Sequence, residues 1–180
     1  MAMGFPARVF AIILRISPGR VRNWMWRWWY QRLAKAHQRA DFRFMNYGYK
    51  DDEDLKLSKE DEPNRLFIQL YNMNICDVDL KGKKVVEVGS GRGGGASWIA
   101  KTYEPKKLIG FDFSKDAVGL ANEWYASQTN LSFKEGNAES LPLGDNSQDI
   151  IYNVESSHCY GNVGAFVKEV YRALRTGGNF

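Results

Sequence analysis

The stretch Lys84–Gly95, KVVEVGSGRGGG, restricts the fold of this 180-residue chain more than any other segment. A short apolar run rich in β-branched valine reads as a strand buried on both faces. The glycines after it let the backbone turn sharply and approach a ligand, while the following helix directs its N-terminus at the same point. Such a strand, turn and helix belong to an open α/β sheet.

Downstream the same alternation continues. KLIGF leads through Asp112 and a helix cap, Ser114, into a helix over 115–127. LSFKE, a loop rich in Gly, Asn and Pro, the strand DIIYNV, a short irregular stretch and a helix over 163–174 follow. Strands separated by helices imply crossover connections and a parallel sheet. The expected fold class is therefore α/β, Rossmann-like, with the first core helix over 96–103.

The turn alone leaves its ligand open, because Gly89, Gly91 and Gly94 also satisfy the GxGxxG spacing of dinucleotide sites. Glu87 stands two residues before the first of these glycines, where a dinucleotide domain usually continues its apolar strand. A carboxylate there suits S-adenosylmethionine, which carries a sulfonium and an amino group. Asp112 lies 21 residues after Gly91, at the end of the second strand, and is placed to accept ribose hydroxyls. Both cofactor types contain ribose, so Asp112 does not separate them.

The segment GNAESLPLGDNSQDIIYNVESSHCY resembles the class I methyltransferases acting on lipids, quinones and sterols. Within them the chain is most similar to the phthiotriolone/phenolphthiotriolone dimycocerosate methyltransferase type. That similarity runs from about Trp24 onward through Phe44–Tyr49, Asp61–Arg65, Gly91–Ser97 and Asn153–Tyr160. The resemblance implies S-adenosylmethionine as cofactor and O-methylation of a hydroxyl on a lipid, sterol or polyketide-like acceptor. Carried over residue by residue, Gly89, Ser90 and Gly91 would line the methionine part, with Glu87 near its charge. Asp112 would hold the ribose with Phe113 beside it. Asn137 and the Ala138 amide would meet the adenine edge, and Asn153 would face the methionine or sulfonium. Many relatives have Asp where Asn137 stands, and the amide keeps an acceptor for the adenine amino group.

The methyl group of a sulfonium is already activated, so transfer needs chiefly positioning and, for an alcohol, a base. His158 follows the fourth strand where a substrate pocket would open, and an unperturbed imidazole is largely neutral at cellular pH. Glu155 could orient it or act alone. A histidine hydrogen-bonded beneath the next helix is the structural alternative.

Arg175–Phe180 reads as a turn into a fifth strand, so a seven-stranded domain would lack about three strands and its fourth would become an exposed edge. A truncated, non-catalytic cofactor-binding or interaction module is therefore the second functional reading, and an NAD-dependent dehydrogenase the third.

Upstream, the division expected is a basic, Trp-rich helical extension over 1–50, a linker and helix over 51–82, and the α/β core over 83–180. Residues 1–50 hold ten Lys/Arg against one acid, Asp41, whereas the remainder holds 15 bases and 20 acids. Such an arm is drawn to anionic surfaces. Tryptophans interleaved with arginines over 20–40 suit an interfacial helix, or one that packs on the domain or closes a substrate entrance. No nucleic-acid motif accompanies it, and no apolar run approaches the ~20 residues that span a bilayer. Two cysteines without a CxxC and two histidines support neither a disulfide framework nor a metal site. The expected location is intracellular, cytoplasmic or peripheral on a membrane. The acid-poor arm also keeps organelle import open, and the oligomeric state is undetermined.

Overall fold

The computed structural model describes residues 42–51 and 55–180, with isolated positions 17, 18, 21 and 25 before them. The tryptophan-rich helix expected over 20–40 lies almost wholly outside the described residues.

A single 3-10 turn, Glu62–Asn64, carries Pro63 in its first turn and leads into α1, Arg65–Ile75. The core follows as β1 (Lys84–Val88), α2 (Gly94–Thr102), β2 (Lys107–Asp112), α3 (Lys115–Trp124), β3 (Leu131–Glu135), β4 (Gln148–Tyr152), α4 (Val163–Ala173) and β5 (Leu174–Asn179). The five strands form one parallel sheet in the order β3-β2-β1-β4-β5. Chain order runs outward from β1 through β2 to β3, then returns to β4 on the other side of β1. The carboxyl ends of β1 and β4 therefore flank a topological switch point, where open α/β sheets form ligand crevices.

Alternation along β1 supplies both layers. Val85 joins a cluster with Ile68, Tyr71, Trp98, Ile99, Leu108 and Phe133, under α1, α2 and α3. Val86 and Val88 join Phe111, Ile151, Phe166 and Val170, under α4. The helices start where capping chemistry allows: Ser114 Oγ accepts from Ala117 N at 3.3 Å, and Asn162 Oδ1 accepts from Ala165 N at 3.0 Å.

Two expectations change. The sequence after Pro63 predicts a helix with Leu66, Phe67, Leu70 and Tyr71 on its apolar face, whereas Ile68, Tyr71 and Ile75 of α1 turn to the sheet and Leu66 is exposed. Positions i, i+3 and i+7 form the inward stripe, with Phe67 and Leu70 only partly buried beside it. Second, β4 is not the sheet edge. Residues 174–179 continue from α4 as β5 and pair with β4 through a bulge, with Gln148 opposite Leu174 and Ile150 opposite Asn179. Gly177 at φ +76° and Gly178, where a Cβ would lie 2.9 Å from Asp149 O, provide that irregularity. The glycine pair that reads as a turn is thus inside a strand.

Candidate functional site: a cavity at the switch point

A cavity of about 130 Å³ opens at the carboxyl ends of β1, β2 and β4. Its floor is the glycine turn. Gly89 N and Ser90 N both donate to Phe111 O, at 2.7 and 3.0 Å, which pins the turn to β2. Gly89 sits at φ +80°, and a Cβ there would overlap Ser156 Oγ, so only glycine lets the loop after β4 close against the turn.

Asp112 completes the turn from the side. Its Oδ2 accepts from Gly91 N at 2.7 Å and its Oδ1 from Ser114 N at 2.8 Å. Burial raises its pKa, while these amide hydrogens oppose the shift. Phe113, Asn137 and Ala138 line the adjoining wall with Gly89, Ser90, Gly91 and Asp112. Asn137 Oδ1 already accepts from Glu139 N at 3.0 Å, which folds its own loop. Ser90 Oγ is buried with no hydrogen-bond partner, a group that a polar ligand could satisfy.

Three residues sit differently from their expected positions. Glu87 is fully buried behind the wall and does not line the cavity; Tyr71, which does, stands between them. Tyr71 donates to Glu87 Oε1 at 2.8 Å and Tyr152 to Oε2 at 3.2 Å. Burial pushes the Glu87 pKa up to about 8, only partly offset by these two phenols. Asn153 lies beneath the floor, its Nδ2 2.7 Å from Val88 O, 2.6 Å from Ser156 Oγ and 2.7 Å from Tyr160 Oη. It locks the loop after β4 onto the end of β1 rather than facing the cavity. His158 sits on an exposed 3-10 turn, Ser157–Cys159, outside the cavity lining, whereas Glu155, Ser156, Cys159 and Tyr160 are in it. With three residues per turn, successive side chains of the 3-10 turn point in different directions, and here the imidazole takes the exposed side.

The sequence reading missed a wall. Residues 43–46 cross the cavity as an extended strap. Arg43 O accepts from Gly94 N at 3.3 Å, and Asn46 Nδ2 donates to Phe67 O at 3.1 Å. Phe44 is buried, stacked 5.8 Å from Phe67 and edge-on to Tyr71 at 6.2 Å. Tyr47 N donates to Glu155 Oε2 at 2.6 Å, joining the strap to the loop after β4, and Glu155 holds φ +50° there. Glu139 was also missed; its Oε1 accepts from Gly161 N at 2.8 Å and Asn162 N at 3.2 Å, tying the loop after β3 to the start of α4. The usable signals were FMNYGY, noted only for its resemblance, and the single phenol on the buried face of α1.

The charge of the lining is one-sided. Among the described residues, Asp112, Glu139 and Glu155 contribute carboxylates against one base, Arg43, whose guanidinium lies over the Tyr125 ring at 6.0 Å. The first amide of α2, Gly94 N, is taken by Arg43 O, so this helix start does not offer that amide to an anion.

Residues 86–180 match the model of a family described as methyltransferase domain. The chain is 38% identical to the phthiotriol/phenolphthiotriol dimycocerosates methyltransferase of Mycobacterium tuberculosis, over 97% of this chain and 65% of that protein. It is 42% identical to the fatty-acid O-methyltransferase of Mycolicibacterium smegmatis, over 84% of this chain and 56% of that one. It thus spans under two thirds of the length of either relative. The solved geranyl diphosphate C-methyltransferase of Streptomyces coelicolor shares the fold, with a TM-score of 0.65 at 17% identity over 83% of this chain and 62% of that one. With the fold and the methyltransferase-domain match in agreement, the chain belongs to the class I methyltransferase family that holds the phthiotriol/phenolphthiotriol dimycocerosates methyltransferases.

Proposed function

We propose that the cavity binds S-adenosylmethionine and that the protein methylates a hydroxyl of a lipid-like acceptor. The observation carrying this reading is the acidic lining, which suits a cationic ligand and disfavours the pyrophosphate of a dinucleotide. The unpartnered Ser90 hydroxyl and the Asp112 carboxylate fit a methionine and ribose moiety. Relatives named for fatty acids and dimycocerosates support the acceptor class, as do Tyr47 and Tyr49, exposed on the strap that borders the cavity.

When bound, S-adenosylmethionine supplies a methyl group on a positively charged sulfur, which leaves with the bonding electrons as the acceptor oxygen forms its new bond to carbon. The Gly89–Gly91 turn and Asp112 would hold the methionine and ribose parts of the ligand, and Phe113, Asn137 and Ala138 would hold its adenine. Asn153 acts indirectly, by fixing Val88 O and the Ser156 and Tyr160 hydroxyls. Glu155 is the base we assign, because it lines the cavity at the strap and can take the hydroxyl proton; His158 lies on the outer side of that turn. The strap, with Phe44 as its anchor, keeps water from the reacting atoms.

The protein acts inside the cell in this reading, with its basic arm over 1–50 against an anionic membrane surface. Among the described residues no helix is long and apolar enough to cross a membrane. Liposome co-sedimentation with and without residues 1–35 tests the contact, and equal pelleting of both forms removes it. Calorimetric titration with S-adenosylmethionine, paired with radiolabelled methyl transfer to a lipid extract, tests the activity. Binding with transfer supports the enzyme reading; binding without transfer supports the alternative of a non-catalytic cofactor-binding module.

A further inference from the structure

Glu87 is a carboxyl group without a partner of opposite charge. It is fully buried, and its neighbours among the described residues are phenols and another acid. Tyr71 approaches it from α1, Tyr152 from β4, and Asp112 from β2 adds like charge. From α2, Lys101 pairs instead with Asp61 at 3.2 Å, and on the strap Arg43 lies over Tyr125. Glu155 acts on Tyr71 from the far side, again as an acid. A buried carboxylate with no cation beside it is costly, so the empty pocket favours the neutral acid.

The geometry points to Tyr71 as a relay that couples ionisation of Glu87 to arrival of a cation in the cavity. This inference rests on the S-adenosylmethionine reading. With Glu87 ionised, both phenols can donate to it at these distances, and the Tyr71 oxygen keeps its lone pairs for another partner. With Glu87 protonated, its hydrogen needs an acceptor in a dry site, and Tyr71 or Tyr152 must serve. A ligand cation against Tyr71 therefore favours the first arrangement. Glu87 then loses its proton to solvent, and the site gains the counter-charge it lacked. Tyr71 is already held for this role: its ring packs on the backbone of Gly95, where a Cβ would overlap it, and on Phe44 and Tyr152. Glu87, invisible from the cavity, acts as a positioning residue and Tyr71 as the group that meets the cation.

Calorimetry at pH 6.5 in buffers of different ionisation enthalpy counts protons exchanged per ligand bound. Three probes separate the sources of charge: S-adenosylmethionine carries sulfonium and ammonium, S-adenosylhomocysteine carries ammonium alone, and 5′-methylthioadenosine carries neither. Release of more than half a proton with S-adenosylmethionine, and close to none with 5′-methylthioadenosine, is expected. Release with S-adenosylhomocysteine assigns the effect to the ammonium, and its absence there assigns it to the sulfonium. Glu87→Gln, which keeps the shape and an acceptor, should abolish the release. Tyr71→Phe should keep the fold and weaken S-adenosylmethionine about tenfold more than 5′-methylthioadenosine. Binding of S-adenosylmethionine without proton release, or equal release in Glu87→Gln, overturns the coupling while leaving the cofactor reading intact. Failure of all three probes to bind overturns both.

Discussion

Glu87 and Glu155 show how two carboxyl groups near one cavity diverge in role through environment. Glu87 is buried against phenols and its folded pKa, about 8, lies above the ordinary carboxyl value. The sign of the linkage follows: the neutral form is favoured by folding, so this contribution to stability is complete below the unfolded pKa and is lost as pH rises through about 8. Thermal unfolding of the ligand-free protein should therefore fall in midpoint between pH 5.5 and 8.5, and Glu87→Gln should flatten that decline. Parallel curves for the two proteins would refute the assignment. Glu155 instead reaches the cavity edge and accepts from the strap at 2.6 Å. Glu155→Gln preserves that acceptor, so it should lower the methyl transfer rate about 100-fold with cofactor affinity little changed. His158→Ala should leave the rate within a few-fold of wild type, and a larger loss there than in Glu155→Gln would return the role of base to His158. The glycine turn, Glu87 and Asp112 were legible from spacing, and Asn137, Ala138 and Asn153 only through the resemblance. Their directions were not, because which side of a 3-10 turn faces a cavity depends on strands and straps far away in sequence.

At the scale of elements, the strap is the piece that turns a sheet-end crevice into a cavity. It has no hydrogen-bonded periodicity of its own, and its order comes from Phe44, from the Gly94 amide at the start of α2 and from the Glu155 contact. Phe44→Ala should cost about 3–5 kcal/mol in urea unfolding and loosen cofactor binding in the same step; a loss under 1 kcal/mol would mean the strap is not packed as described. Extended segments of this kind have no signature in hydrophobic period, which explains why residues 43–46 were visible only as part of a resemblance. β1, β2 and the capped start of α3 were legible because apolar runs and an Asp-Phe-Ser cap are local properties. β5 was not: Gly177–Gly178 carries the local chemistry of a turn, and only the close approach of Asp149 O converts it into a bulged strand. Gly89→Ala, at positive φ and against Ser156, should destabilise by about 2 kcal/mol or more, a direct check by denaturant titration that the loop after β4 closes on the turn.

For the whole molecule, the sheet order and the charge of the lining together decide the ligand. The reversal of strand order at β1 places the glycine turn, Asp112 and the loop after β4 at one point, and this much follows for any doubly wound sheet. What separates cofactors is the sign of the surrounding charge, which among the described residues is three carboxylates against one guanidinium, with a further acid buried behind Tyr71. The first motif read in the sequence was compatible with either cofactor, and it is this distribution, assembled from five separate segments, that favours the cation. The basic arm over 1–50 lies outside this logic and would act by bringing the cavity to an anionic, lipid-rich surface. Competition calorimetry is the most direct test of the central claim: S-adenosylmethionine titrated into the protein alone and in the presence of excess NAD. The acidic cavity predicts saturable binding of S-adenosylmethionine that NAD leaves unchanged, whereas binding of NAD with displacement of S-adenosylmethionine would contradict it.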